Sequence, residues 1–239
     1  MGLSYGGYGR AVERLLSAFV VAAAGAMMAM SGPVSAQTAS VQPDVKDVKP
    51  IKVAVLGDSL TAGYGLPSQA AFPVRLQKAL ADKGIATMIH NAGVSGDTTT
   101  GGLARLEWSI PPGTEAVIVE LGANDALRGV DPKVARGALD DILTKLKARN
   151  IAVLLCGMYA PPNYGADYTA KFNSIYPELA KSHNVPLYPF FLDGVATVAR
   201  LTQPDGLHPT AEGVDVVVTR ILPTVEAFLK DRASQLSKP

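Results

Sequence analysis

Ile51-Lys52-Val53-Ala54-Val55-Leu56-Gly57-Asp58-Ser59-Leu60 decides how the rest of the chain reads. Its first part is aliphatic and β-branched, lacks a 3.6-residue period and stops at a glycine. That is the pattern of a strand buried on both faces. A polar tetrapeptide, Gly57-Asp58-Ser59-Leu60, follows at once. The same grammar recurs along the chain, with apolar runs at 86–90, 116–121, 151–156 and 187–191, each ending close to Gly, Asn or Pro. Between the runs lie amphipathic segments expected to be helices. Segment 69–83 stops before Gly84, a favoured C-terminal cap, and 132–149 opens on Asp131-Pro132, an N-cap followed by proline at the first helical position. Segments 166–183 and 210–230 complete the set. Strand alternating with helix about five times implies one α/β domain over 51–231, with a parallel sheet, helices on both faces and a tail at 232–239.

Such a sheet restricts where chemistry can sit. Ligands bind beyond the carboxyl ends of the strands, near the point where strand order reverses. Polar blocks stand at those ends. Gly57-Asp58-Ser59-Leu60 follows the first run, and Asn91-Ala92-Gly93-Val94-Ser95-Gly96-Asp97 the second. Gly122-Ala123-Asn124-Asp125 follows the third, and Asp205-Gly206-Leu207-His208 precedes the last helix. Each block alone is weak, because such short strings occur by chance. Their order and placement together carry the signal.

A serine hydroxyl is a poor nucleophile at neutral pH and needs a base beside it. Among the three histidines, His208 alone lies in a loop just before a helix. Asp205, three residues earlier, can reach back to hold the imidazole tautomer and stabilise an imidazolium. A developing oxyanion needs donors: glycine lets substrate approach a backbone N–H, and asparagine offers an amide. Gly96 and Asn124, with the Ser59 N–H, suit that task. Asp58 either orders the site by hydrogen bonding or caps the turn, two readings of equal weight. His90, within an apolar run, and His183, near a helix end, read as structural. The histidines lack metal-ligand spacing, and neither a metal nor an organic cofactor is expected. Gly-x-Ser-x-Gly, His-Glu-x-x-His and the phosphate-cradling loop are absent from the sequence.

The amino-terminal segment reads separately. Arg10 and Arg14 precede an apolar run, Leu15–Met30, and then Ser31-Gly32-Pro33-Val34-Ser35-Ala36. A charged start, a short apolar centre and small residues before a cut read as a signal peptide, 1–36, cleaved after Ala36. Residues 37–50 read as a flexible leader. Export, most readily to a periplasm, is expected, without stable membrane insertion after cleavage. The chain carries 22 basic and 21 acidic residues; residues 1–36 remove two Arg and one Glu, leaving 20 of each sign. A neutral domain has no electrostatic case for nucleic acid. The single Cys156, in an apolar run, reads as a small buried hydrophobe.

The four blocks resemble the GDSL, or SGNH, hydrolase superfamily. Val119-Glu120-Leu121-Gly122-Ala123-Asn124-Asp125 and Tyr188-Pro189-Phe190-Phe191 look like its bacterial thioesterase I, lysophospholipase and arylesterase branch, over essentially all of 51–230. The resemblance implies a flavodoxin-like three-layer α/β/α sandwich with a five-stranded parallel sheet. It implies Ser59, Asp205 and His208 as a triad, and Ser59, Gly96 and Asn124 as oxyanion hole. Residues 125–130 correspond to a mobile loop bordering the acyl pocket of that branch. Ala123 stands where relatives often carry glycine. Asp125, Ala126 and Leu127, with Tyr159 and Pro161 from segment 158–165, are expected to border the pocket. The expected chemistry is hydrolysis of acyl or aryl esters and thioesters, including acyl-CoA and lysophospholipids, by a monomer acting on small molecules. Two other readings are a carbohydrate O-acetylesterase of the same superfamily and a non-catalytic periplasmic binding module.

Overall fold

The computed structural model describes residues 49–237. The signal peptide and most of the leader expected at 1–50 lie outside the described residues. Five parallel strands form one sheet: β1 (Ile51–Gly57), β2 (Thr87–Gly93), β3 (Ala116–Glu120), β4 (Ala152–Cys156) and β5 (Leu187–Tyr188). Their order is β2-β1-β3-β4-β5. The chain moves outward one way from β1 to β2 and the other way from β1 to β3. The reversal therefore lies between β1 and β3, where the carboxyl ends open a crevice. Gly57 pairs with Gly93 on one side and with Glu120 on the other, so three polar blocks leave the sheet at one level.

The helices are α1 (Ser59–Ala62), α2 (Phe72–Asp82), α3 (Thr99–Ala104), α4 (Leu106–Ser109), α5 (Ala123–Leu127), α6 (Pro132–Ala148), α7 (Ala166–Asn173), α8 (Ile175–His183) and α9 (Ala211–Leu236). Burial of β1, β3 and β4 from both faces places Val53–Leu56, Ala116–Val119 and Val153–Cys156 in the core. Leu76 and Leu80 of α2, Leu139, Ile142, Leu143 and Leu146 of α6, and Val217, Ile221, Val225 and Leu229 of α9 close on them. Each of these sets recurs at helical spacing, so one stripe per helix faces the sheet. Cys156 is a free, buried thiol.

Several boundaries differ from expectation. β2 is an edge strand with Met88 and His90 exposed, not a strand buried on both faces. β5 keeps two residues of the expected 187–191 run, because only Leu187 and Tyr188 pair with β4. The helix expected over 166–183 breaks at Ser174 into α7 and α8. Pro177 lies in the first turn of α8, where its missing N–H belongs at a helix start rather than an interior. Residues 232–236 are not a tail: α9 runs through them to Leu236, and Arg232 is buried against the domain, donating to the Asn150 carbonyl at 2.8 Å. Among the described residues, no helix is long and apolar enough to cross a membrane.

Candidate active site

β1 delivers Ser59. The strand ends at Gly57 and the chain turns directly into α1, with Asp58 as N-cap: its Oδ1 accepts from the Leu60 N–H at 3.0 Å. Ser59 is thus the first residue of a helix, where free N–H groups favour negative charge. Its side chain lines the crevice though only 8% exposed, while Asp58 before it and Thr61 two residues on are fully buried.

His208 arrives from the other end of the chain, on the loop before α9. Its Nε2 lies 2.8 Å from Ser59 Oγ and its Nδ1 2.6 Å from Asp205 Oδ2. The bond to the carboxylate places the proton on Nδ1 and leaves Nε2 as acceptor for the serine O–H. Asp205 Oδ1 in turn accepts from the backbone N–H groups of Leu207 and His208, at 2.9 and 3.0 Å. These bonds, the His208 N–H first and the imidazole next, hold the Asp205 carboxyl down at about 2. The loop is tied back by Gln203, whose backbone N–H donates to the His208 carbonyl at 2.7 Å. Tyr64 packs its ring on the imidazole, with centroids 4.5 Å apart.

Asn124, second residue of α5, lines the same crevice. One of its two amide hydrogens is held by Asp58 Oδ2, Nδ2 to oxygen 3.2 Å, which leaves the other to point elsewhere. Asp58 is therefore more than a cap. Its two oxygens tie the turn carrying Ser59 to the Asn124 amide. Burial pushes its carboxyl up to about 6, against the pull of the Leu60 and Asn124 bonds. Gly96 sits in the loop after β2 with φ +86°, a conformation that suits glycine. Arg128 Nη2 donates to its carbonyl at 2.9 Å. Arg105, buried, clamps the base of that loop: Nε to Asp97 at 2.5 Å, Nη2 to the Gly57 carbonyl and Nη1 to the Ala92 carbonyl, both at 2.8 Å.

The crevice opens into a cavity of about 630 Å³ bordered by Ser59, Asn124 and His208. Its walls are apolar, including Leu60, Ala126, Leu127, Met158, Tyr159 and Pro161. Tyr159 stacks on Phe190 at 4.6 Å between centroids. Asp125 was expected at this border and does not reach it. Residues 123–127 form a helix rather than an open loop, and one residue along a helix turns a side chain by about 100° from its neighbour. The Asp125 carboxylate is buried, accepting from Thr99 N at 2.8 Å and Thr99 Oγ1 at 2.7 Å. Residue-by-residue reading also missed Tyr64, Arg105, Arg128 and Glu120. For Glu120 a signal existed, since a carboxylate closing an otherwise apolar strand has to be accounted for. For the others none did. Among the described residues, no group of His, Cys, Asp and Glu is arranged to hold a metal ion.

Residues 55–216 match the model of the GDSL-like lipase/acylhydrolase family. An arylesterase of Vibrio mimicus is 43% identical over 162 residues, covering 67% of this chain and 81% of that protein. Thioesterase 1/protease 1/lysophospholipase L1 of Escherichia coli K12 is 43% identical over 159 residues, covering 66% of this chain and 75% of that protein. Among solved structures, AlinE4, an SGNH-hydrolase family esterase, is 46% identical with a TM-score of 0.64, covering 75% of this chain and 96% of its own. The strand order, the serine turn after the first strand and these matches agree: the chain belongs to the GDSL-like lipase/acylhydrolase family and has the SGNH-hydrolase fold.

Proposed function

We propose that this chain is an exported serine esterase that hydrolyses carboxylic esters and thioesters through an acyl-enzyme on Ser59. One observation carries the reading: His208 bridges Ser59 Oγ at 2.8 Å and Asp205 at 2.6 Å. Nothing in ligand binding requires a serine aligned on an oriented base, so a non-catalytic module is disfavoured. In the first half-reaction Ser59 Oγ bonds to the acyl carbon as its proton passes to His208 Nε2. The carbonyl oxygen takes the negative charge, facing the Ser59 and Gly96 N–H groups and the free Asn124 N–H. When the bond to the leaving oxygen or sulfur breaks, that atom collects the proton from His208. Water then attacks the acyl-enzyme by the same route, giving the carboxylic acid and free Ser59.

The apolar walls at Ala126, Leu127, Tyr159 and Pro161 support an acyl chain or an aryl group rather than a sugar, and the stacked Tyr159–Phe190 pair offers a flat surface to an aromatic ring. Acyl-CoA and lysophospholipid are further substrates to assay, given the thioesterase and lysophospholipase names of the relative. Every proposed catalytic group comes from one chain, so no second copy is needed to complete the site. Export rests on the pattern of residues 1–36. The direct test compares the purified domain with Ser59→Ala on p-nitrophenyl esters of increasing chain length. Turnover of the variant at the unmodified rate would remove the nucleophile assignment.

A further inference from the structure

Beneath the turn that carries Ser59 lies a carboxyl group that takes no part in the proton transfers between Ser59, His208 and the leaving group. Glu120, the last residue of β3, is completely buried. Its Oε2 accepts from Thr61 Oγ1 at 2.6 Å and faces the Asp58 N–H at 3.4 Å. Its Oε1 is buried without a hydrogen-bond partner among the described residues. Gly57, its neighbour across the strands, makes the approach possible. A methyl group there would overlap the Thr61 hydroxyl and stand 2.6 Å from Glu120 Oε2. The glycine that opens Gly57-Asp58-Ser59-Leu60 thus clears the space that this carboxyl fills.

We propose that Glu120 is a positioning residue for the reaction: an uncharged carboxyl that props the Ser59 turn from below and leaves Asp58 to carry the charge that holds Asn124. The proposal rests on the reading of Ser59 as nucleophile and Asn124 as oxyanion donor. The groups around Glu120 are the Asp58 carboxyl, the Cys156 thiol and the Tyr176 phenol, and no cation pairs with it among the described residues. Two carboxylates in one dry patch cannot both ionise cheaply. Burial first, and the Asp58 charge second, push Glu120 well above the usual carboxylate range. Asp58 accepts hydrogen bonds on both of its oxygens, whereas Glu120 accepts on Oε2 alone and its buried Oε1 has no partner, so the proton resides on Glu120.

The test measures kcat against pH and thermal midpoint for the unmodified domain, E120Q and E120M, on a p-nitrophenyl ester. Gln matches the uncharged acid in shape and charge, so E120Q is expected within about threefold of the unmodified kcat, with its acid limb in place. Met fills the space without an acceptor, so E120M is expected to lose about tenfold or more in kcat, measured well below a thermal midpoint that falls modestly because the Thr61 hydroxyl loses its acceptor. Should E120M not fold, E120D supplies the comparison, its carboxyl one methylene short of Thr61. E120Q as slow as E120M or E120D, or an acid limb displaced in E120Q, would overturn the uncharged acid. Unmodified kcat in E120M or E120D, or a loss of kcat that disappears when the assay is run well below the lowered midpoint, would overturn positioning. Ser59→Ala in the same assay keeps the levels apart, because its activity bears only on the nucleophile.

Discussion

Two aspartates serve this site from opposite regions, and they are held in opposite ways. Asp205 stands on the loop before α9, its side chain about one-third exposed, and three hydrogen bonds from Leu207 and His208 draw its carboxyl down to about 2. Asp58 stands at the end of β1, fully buried, and desolvation pushes its carboxyl up to about 6 despite bonds from Leu60 and Asn124. The loop aspartate is held charged by local backbone donors and the His208 imidazole, and stays ionised far below neutral pH. The strand-end aspartate is charged only because its bonds offset most of what burial costs. The base side of the site can therefore be built on a short exposed turn. The proposed oxyanion side depends on the interior of the sheet.

The comparison breaks hardest at Asp205. Asp205→Asn leaves the loop free to adopt the same turn but allows the amide to stabilise the wrong imidazole tautomer. The expected loss in kcat is about 10³–10⁴-fold, with little change in thermal midpoint, since the residue lies at the surface. A loss below tenfold would mean that the Leu207 and His208 N–H groups, not the imidazole, are what this carboxylate serves. On the proposed oxyanion side, Asn124→Ala is expected to cost about 10²–10³-fold in kcat, with KM little altered, because the role proposed for the amide is to meet charge that develops only in the transition state. A variant that raises KM alone would relocate Asn124 to substrate binding.

Asp58→Asn sharpens the contrast. An amide has one acceptor oxygen where a carboxylate has two, so the substituted side chain can serve the Leu60 N–H or the Asn124 amide but not both. The Asn124 side chain loses its anchor without being removed. The expected fall is about tenfold, smaller than for Asn124→Ala, and carried by kcat. An unchanged kcat would show that Asn124 is oriented by its place in α5 alone.

How much of this was legible follows the same division. The base side is local in sequence: Asp205 and His208 are three residues apart, and a pair at that spacing before a helix suggests its own geometry. The sheet was legible where strands are buried on both faces, as in β1, β3 and β4, because burial there leaves an unbroken apolar run. β2 kept its place but not its character, since an edge strand exposes alternate residues. For the proposed oxyanion side the sequence offered residue types but no network. Asp58 to Asn124 spans 66 positions and Glu120 to Thr61 spans 59, and no periodicity encodes which buried acceptor meets which donor. Asp125 shows the limit from the other direction. Its neighbour faces the cavity, and only the formation of α5 turns the carboxylate inward onto Thr99.

Stability also separates the two aspartates, by the sign of its dependence on pH. Asp58 has a folded pKa above its value in an unfolded chain, 3.8 against about 6, so the native state holds the extra proton between those values. Its contribution is therefore fully present below about pH 4 and is lost as pH rises through 6, by at most about 3 kcal/mol for a shift of this size. Asp205 has a folded value of about 2, so its contribution is present above about pH 4 and lost as pH falls toward 2. Chemical denaturation from pH 4 to pH 7 should show the unmodified domain losing stability relative to Asp58→Asn as pH rises, with the two curves parallel above 7. Over the same window Asp205→Asn should track the unmodified domain to within about 0.3 kcal/mol, because Asp205 stays ionised in the fold and is about 60% ionised in the unfolded chain even at pH 4. If Asp58→Asn instead runs parallel to the unmodified domain throughout, then Asp58 ionises as an ordinary carboxylate, and its hold on Asn124 persists at acid pH.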